Sequence, residues 1–323
     1  MASAADIRGG ADRLLRQSDQ SVMKSALTSR SDNRTLRFTE DGTFQISVFE
    51  DLHFAEGWAD ATKDDKTKGV VRNILAREHA QLVVLNGDLI SGEATRSSNS
   101  SDYLDEVVSP LVSSGQLWAS TYGNHDSEVN LDPVKDIYEQ ERQYSNSLTQ
   151  RSVSASKAGI TNYYLPVYSH GSSQEDSPAL VLWFFDSKGG HYAKNRLDDG
   201  RSGTRGDWVD ESVIQWFTEA KENITATYGH AIPSLAFYHI PAHAMLRYQQ
   251  QGVDSRRTPG INGEEVISQG SGDTKYSGQD SPFMQALLNT TGLIATFSGH
   301  DHDNDWYVSL GKQCPMLSRY SAL

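Results

Sequence analysis

Apolar runs separated by polar, helix-forming segments dominate the chain from residue 44 onwards. Phe44–Phe49 alternates apolar and polar residues, as a half-buried strand does, whereas Gln81–Leu85 is apolar almost throughout. The pattern favours helices over residues 63–79 and 102–113, and residues 116–122 form a third strand-like run. This alternation of strands and helices predicts a largely parallel sheet that is covered by helices.

The second half of the chain continues the pattern less regularly. Tyr163–Tyr168 and Leu180–Phe185 are predicted to be paired strands. Asp207–Tyr228 has apolar residues at helical spacing, and Asp207 can cap the N-terminus of that helix. Further strands are predicted over Ser234–Tyr238 and Gly292–Phe297. Two sheets packed face to face, with helices outside, form the simplest architecture for these elements.

We predict one α/β domain over residues 37–323. A chain of 323 residues has room for one such domain with a sizeable core. Residues 1–36 are polar and mixed in charge, so we predict an extension outside the core that is poorly ordered or forms a short helix.

The net charge of −13 argues against nonspecific binding of nucleic acids, because a phosphate backbone requires a basic surface. No apolar run approaches the length that a bilayer crossing needs, and the single cysteine allows no intrachain disulfide. The first residues lack the apolar region of a signal peptide, which predicts a cytoplasmic protein. N-glycosylation sequons at Asn33, Asn99, Asn223 and Asn289 leave a secretory alternative.

Polar residues of the kind that bind metals follow five of the predicted strands. Alternate residues of an extended segment share a face, so the two histidines of Ser298-Gly-His-Asp-His302 can point the same way. Because ligands of such sheets lie beyond the carboxyl ends of the strands, these side chains are expected to converge. They are Asp51 and His53, Asp88, Asn124 and His125, His239, and His300 and His302.

Seven of these residues suffice for a site with two metal ions. Asp88 stands alone on its turn and is the natural bridge, because a carboxylate has two oxygens. One ion would be completed by Asp51, His53 and His302, and the other by Asn124, His239 and His300. Two cations about 3.5–4 Å apart lower the pKa of a shared water, so that hydroxide is available near neutral pH to attack phosphorus.

His125 remains outside this set. We expect it to protonate the leaving group or to hydrogen-bond the phosphoryl group during transfer. Asp126 follows it and has two interpretations of equal weight. It either fixes the tautomer of His125, as an orienting carboxylate does, or it is a turn residue that satisfies the local backbone.

The order D-x-H, G-D, G-N-H-D, H and G-H-x-H between Asp51 and His302 resembles the calcineurin-like metallophosphoesterase superfamily. The resemblance implies a four-layer α/β/β/α sandwich of two mixed sheets, and two ions of Fe, Mn or Zn held by the seven residues above. The stretches 45–53, 161–165 and 183–187 are similar to fungal and plant phosphatases of the purple acid phosphatase-like group.

Two departures from that group stand out. Purple acid phosphatases carry a tyrosine ligand in G-D-x-x-Y, where this chain has Ser91, and they carry D-x-G where this chain has His53. We therefore expect no purple colour and a weaker preference for Fe(III). The chain also stops 21 residues after His302, which predicts that closing strands of one sheet are missing.

Three functions remain open at this stage. The first is a phosphomonoesterase, whose substrates include phosphoproteins as one alternative. The second is a phosphodiesterase that acts on nucleotides or lipid head groups, since the same ligands serve both reactions. The third is a non-catalytic interaction protein, as the short C-terminus suggests. The intact ligand set favours an enzyme, because a scaffold does not need a costly polar cluster. The oligomeric state cannot be predicted.

Overall fold

The computed structural model describes residues 34–56, 61–128, 130–196, 202–254, 256–272, 275–310 and 314–316. In chain order its strands are β1 Leu36–Arg37, β2 Ile46–Phe49, β3 Leu82–Asn86, β4 Trp118–Thr121, β5 Tyr163–Tyr168, β6 Leu180–Phe185, β7 His191–Arg196, β8 Ser202–Thr204, β9 Ser234–Tyr238, β10 Gly260–Asn262, β11 Leu293–Phe297, β12 Asn304–Trp306, β13 Val308–Leu310 and β14 Cys314–Met316. Its α-helices are α1 Ala61–Leu75, α2 Ser100–Ser114, α3 Glu139–Glu141, α4 Glu211–Tyr228, α5 His243–Gln250 and α6 Ser281–Leu288.

Two main sheets form the centre of the molecule. One contains β2, β3 and β4, which are all parallel. The other has the order β1-β5-β6-β9-β11, in which β5 is antiparallel to β6 and the remaining neighbours are parallel. Of the two sheets as described, only the second is therefore mixed. In the first sheet, β2, β3 and β4 end at the same edge, and in the second β9 and β11 end together.

The buried apolar residues fall into three clusters, which define four layers. Leu82 and Val84 of β3 pack between the two sheets, together with Leu182 of β6. Val83 and Leu85 of β3 face helices α1 and α2 on the other side. The run Leu82–Asn86 is apolar over its first four residues because both of its faces are covered. Trp183 of β6 packs in the third cluster, below helices α4, α5 and α6. The predicted α/β/β/α sandwich is confirmed.

The predicted cap of helix α4 is wrong. Asp210 is the N-cap, and its side chain accepts the N–H of Ser212 at 3.1 Å. Asp207 instead accepts the N–H groups of Gly270 and Gly272, at 3.0 and 2.8 Å. It therefore fixes a distant loop, a contact that local spacing cannot predict.

The predicted boundary between residues 36 and 37 lies inside strand β1, where Leu36 is buried and pairs with Val167. Residues 1–33 of the predicted extension lie outside the described part of the chain. The short ribbons β7–β8, β10–β12 and β13–β14 were not predicted, since strands of this length leave little periodic signal. Among the described residues, no helix has the length and apolar content that crossing a bilayer requires.

A buried glutamate fixes the segment that follows β4. Glu141 is fully buried, and its Oε1 accepts bonds from the Trp118 indole at 2.9 Å and the Ser120 hydroxyl at 2.7 Å. The same oxygen accepts the Thr149 hydroxyl at 2.6 Å, and Oε2 accepts the Tyr122 hydroxyl at 2.7 Å. These donors hold the carboxylate in place and connect it to the strand that leads to Asn124 and His125.

Replacement of Glu141 by leucine should destabilise the fold by about 3 kcal/mol or more, because several buried donors then lose their acceptor. Glu141→Gln should cost less, since its carbonyl oxygen can still accept most of these bonds. The measurement is the urea unfolding midpoint at constant m-value. Glu139→Leu is the matched control on the same short helix, because the Glu139 side chain is 51% exposed. Equal unfolding midpoints for Glu141→Leu and this control would contradict the stabilising role given to Glu141.

Candidate metal centre

All seven predicted ligands lie at the carboxyl ends of strands. Asp51 and His53 follow β2, Asp88 follows β3 and Asn124 follows β4, while His239 follows β9 and the pair His300 and His302 follows β11. The two sheets therefore contribute side chains from both sides to one place. The His239 Nε2 atom lies 2.9 Å from Asp88 Oδ2 and 3.7 Å from Asp51 Oδ1.

Four of the seven residues have left-handed backbone conformations. Their φ angles are 53° at Asp51, 47° at His53, 50° at Asp88 and 84° at His300. A non-glycine residue pays roughly 1–2 kcal/mol for this conformation, and such strain clusters where function requires it. The strained turns direct consecutive side chains toward the site.

Gly123 allows two strand ends to approach each other closely. A Cβ atom at this position would lie 2.1 Å from Asp88 Oδ1 and 2.7 Å from a ring carbon of His239. The next residues carry the Asn124 side chain and the His125 backbone N–H, which donates to Asp88 Oδ1 at 2.8 Å. The glycine of G-N-H-D is thus required by packing against the G-D turn.

Asp51 lies at the centre of the first group of possible ligands. Its Oδ1 atom is 4.0 Å from His53 Nε2, 3.7 Å from His239 Nε2 and 3.6 Å from His302 Nε2. The Nε2 atoms of His53 and His302 are 3.1 Å apart. Ligand atoms bonded to one cation at about 2.0–2.2 Å lie roughly 3–3.5 Å from each other. Asp51, His53 and His302 therefore have spacing that suits a cation between them.

Asp88 lies at the centre of two further groups. Asp88, His239 and His300 form one, and His53, Asp88 and His125 form the other. The first group contains the predicted bridge, Asp88, and two of the three residues predicted for the second ion. Asn124 is the third of those residues. The other group brings His125, the predicted acid, within reach of a ligand position.

Asp51 and Asn124 each carry a buried oxygen that lacks a partner. Asp51 Oδ1 and Asn124 Oδ1 have no hydrogen bond among the described residues, although the other oxygen of Asp51 accepts the N–H of His300 at 2.9 Å. A buried oxygen without a partner is costly, and both types of oxygen are metal ligands. These residues fit a pair of cations.

Without cations, protons balance the charge of the carboxylates. Burial lowers the pKa of His239, but the charges of Asp88 and Asp51 outweigh it and raise that pKa to about 10. Burial raises the pKa of Asp88, but the charges of His239 and His125 hold it well below its usual range. Burial, with the charge of His239, lowers the pKa of His300 to about 4. Bound cations would displace the proton of His239.

His125 is oriented by a glutamate that the sequence analysis did not identify. Its Nδ1 atom lies 2.8 Å from Glu93 Oε2, in the short helical turn Gly92–Ala94. Burial lowers the pKa of His125, but the charge of Asp88 and the hydrogen bond that Glu93 accepts from Nδ1 raise it to about 9. No motif marks Glu93, and only its position five residues after Asp88 could have drawn attention to it.

The proposed contact between Asp126 and the His125 ring is wrong. The Asp126 Oδ1 atom accepts the N–H groups of Leu89 and Ile90, at 2.9 and 3.1 Å. Its Oδ2 atom accepts the N–H of Gly123 at 2.8 Å. The alternative interpretation is correct, because this carboxylate satisfies the backbone and joins the turns that carry Asp88 and Asn124.

Ser91 contacts a candidate ligand. Its side chain is fully buried, and its hydroxyl oxygen lies 3.1 Å from His53 Nδ1. If the hydroxyl oxygen accepts a hydrogen bond from Nδ1–H, the Nε2 lone pair of His53 is free for a cation. The residue at the position of the missing tyrosine thus acts on the site through His53.

Ser91→Ala should weaken binding of the first cation about 10-fold, the lower end of what second-layer ligand contacts contribute. The measurement is calorimetric titration of metal-free protein with Zn²⁺. Ser100→Ala is the matched control, because Ser100 is equally buried but its hydroxyl has no partner among the described residues. Unchanged affinity in Ser91→Ala would show that the contact does not orient His53.

Comparison with known proteins relates most of the chain to a protein family. The sequence profile of the calcineurin-like phosphoesterases matches residues 48–304, which include all seven candidate ligands. The chain belongs to the calcineurin-like phosphoesterase family. The predicted resemblance is thereby confirmed.

Proteins similar to this chain include plant and fungal proteins. A probable inactive purple acid phosphatase 28 from Arabidopsis thaliana is 27% identical, over 87% of this chain and 71% of its own length. Phosphatase DCR2 from Saccharomyces cerevisiae is 25% identical, over 84% of this chain and 46% of its own length. The similarity to the purple acid phosphatase-like group is therefore also confirmed.

A solved structure supports the fold of this chain. The crystal structure of a dimetal phosphatase from Danio rerio superposes with a TM-score of 0.54 at 14% identity, covering 86% of this chain and 87% of that one. At this identity the likeness concerns the fold, and the chemistry depends on the residues of the site itself.

Proposed function

We propose that this chain hydrolyses phosphate esters, with monoesters as the preferred class, and that it does so with two bound cations. The observation that carries the proposal is the environment of Asp51 Oδ1. Three imidazole nitrogens lie 3.6–4.0 Å from this oxygen. It is buried and has no hydrogen bond among the described residues. This arrangement suits cations better than it suits direct bonds among the side chains.

The roles of the chain's own residues follow from their positions. Asp51, His53 and His302 would hold one cation, and Asn124, His239 and His300 the other, with Asp88 shared between them. Bound cations of the Fe, Mn or Zn type would activate a water molecule and neutralise the charge of the phosphoryl oxygens. The backbone N–H of His125 keeps Asp88 in position through its bond to Oδ1.

His125 is the proposed proton donor to the leaving oxygen. Its ring is 30% exposed and packs edge-on against His53, with the ring centres 4.8 Å apart. Glu93 accepts from Nδ1, so Nε2 is the nitrogen that can carry a proton toward substrate. The raised pKa of about 9 means that the ring is protonated at neutral pH before the cations bind.

The exposure of two residues at the candidate site supports phosphate groups on large molecules as substrates. The His302 side chain is 46% exposed and that of Glu93 is 48% exposed, whereas Asp51, Asp88 and His239 are buried. The phosphate can thus reach the buried ligands while the rest of the substrate stays outside. We include phosphate groups on proteins in the proposal for this reason.

The test uses the purified chain, stripped of metal and then loaded with Mn²⁺, Zn²⁺ or Fe²⁺. We expect two cations per chain, and release of p-nitrophenol from p-nitrophenyl phosphate that exceeds release from bis-p-nitrophenyl phosphate. A phosphoserine peptide should release inorganic phosphate. The opposite preference between the two aryl esters would indicate a phosphodiesterase.

The names of the relatives point both ways, since one is a probable inactive enzyme and the other a phosphatase. Folded protein that binds two cations but releases no phosphate from any of these esters would assign the chain to the non-catalytic class. Folded protein that binds no cation would overturn the whole proposal.

A further inference from the structure

A second concave site lies at the opposite end of the five-stranded sheet. Its cavity of about 420 Å³ lies below helix α4, where β6 and β9 begin. His239 follows the other end of β9, so the two sites are separated by about 16 Å of strand at 3.3 Å per residue. The cavity is therefore independent of the proposed catalytic site.

The walls of this cavity are mostly apolar. Val181, Trp183, Ile224 and Ile232 line it. A volume of this size, with a lining surface that is mostly apolar but also carries polar side chains, is typical of sites that bind small organic molecules. The walls thus suit a compact apolar body.

Ser234 places an unsatisfied hydroxyl in the lining. The residue is 2% exposed, and its backbone N–H is bonded to Gly292 O at 2.8 Å. Its hydroxyl oxygen has no hydrogen-bond partner among the described residues. A buried hydroxyl left without a partner costs about 1–3 kcal/mol, so a ligand that reaches this hydroxyl would gain a hydrogen bond that the described residues do not supply.

Lys221 supplies a positive charge to the same cavity. Its ammonium nitrogen lies 3.3 Å from the Thr290 hydroxyl oxygen, and both residues line the cavity. No carboxylate of the described chain lies within ion-pair distance of it, and Glu222, the acidic residue in the lining, is exposed. An ammonium that has no ion-pair partner among the described residues can form a charge-assisted hydrogen bond with an anionic group of a ligand.

We propose that this cavity binds a small organic monoanion, in which an aromatic or branched aliphatic body carries a carboxylate or sulfonate. The body packs against the apolar lining around Ile224 and Ile232, the anion pairs with Lys221, and the Ser234 hydroxyl donates a hydrogen bond to the ligand. This binding does not depend on the cations of the other site.

The probe is 1-anilinonaphthalene-8-sulfonate, which has an aromatic body and one sulfonate. Titration of the folded chain should give one site, with energy transfer from tryptophan to the bound probe. Lys221→Met keeps the apolar stem and should weaken binding about 10-fold, as expected for a lost charge-assisted bond. Ala231→Phe, which places a ring at the lining, should weaken binding by more than 10-fold.

Lys135→Met is the matched control, because the Lys135 side chain is 74% exposed and lies outside the lining of the cavity. It should bind the probe as the parent chain does, and all variants should keep the parent's thermal midpoint. Unchanged affinity in both Lys221→Met and Ala231→Phe, or no saturable binding, would overturn the proposal. A loss of affinity in Ala231→Phe but not in Lys221→Met would overturn the proposal that the ligand carries an anionic group.

Discussion

Asp88→Asn should no longer bind either cation tightly. We expect its affinity for Zn²⁺ or Mn²⁺ to be more than about 100-fold below that of the parent. Asparagine has the shape of aspartate, but it lacks the charge and offers only one oxygen. Asp88 Oδ1 accepts the backbone N–H of His125, and Asp88 Oδ2 lies 2.9 Å from His239 Nε2. The substitution therefore removes the shared ligand while the backbone contact can persist.

The measurement is the metal content per chain after gel filtration, together with a titration of metal-free protein. Asp186→Asn is a close control, because Asp186 is also a buried aspartate that follows a strand. Its oxygens accept backbone N–H groups of Ile160 and Lys188, at 2.6 and 2.8 Å. The Asp186→Asn variant should keep both cations. Two tightly bound cations in folded Asp88→Asn would show that Asp88 is not the bridge.

The four layers could be predicted because each strand's apolar pattern reflects how many of its faces are covered. Leu82–Asn86 is buried on both faces and apolar over four residues, and β5 and β6 pair as the two adjacent runs suggested. The prediction that failed was that of the helix cap, because it considered only neighbouring residues. Asp207 looks like a helix cap, but its partners are 63 and 65 residues away in the chain.

The ligand candidates could be identified because they follow strands whose carboxyl ends the topology brings together. The residues that orient these ligand candidates could not be identified in this way. Glu93 reaches His125 through the short turn after Ser91, and Ser91 reaches His53 across two turns. Asp126 satisfies backbone N–H groups of the neighbouring turn. Such contacts depend on turn geometry and strained φ angles, for which spacing along the sequence gives no rule.

His125→Ala should keep both cations and lose about 100-fold or more in turnover, the range for removal of a general acid. The substitution leaves the backbone N–H that holds Asp88, so the shared ligand stays in place. His79→Ala is the control, because His79 is exposed on the surface. Metal content and turnover are measured on the same samples. Retained metal with undiminished turnover would exclude both roles considered for His125.

The leaving group separates those two roles. A proton donor matters most when the leaving oxygen is basic, so His125→Ala should reduce the turnover of phenyl phosphate more than that of p-nitrophenyl phosphate. A residue that only hydrogen-bonds the phosphoryl group should reduce both by a similar factor, since that group is the same in the two esters. The Glu93 contact favours the first outcome, because a carboxylate at Nδ1 makes the Nε2 proton available in a fixed direction.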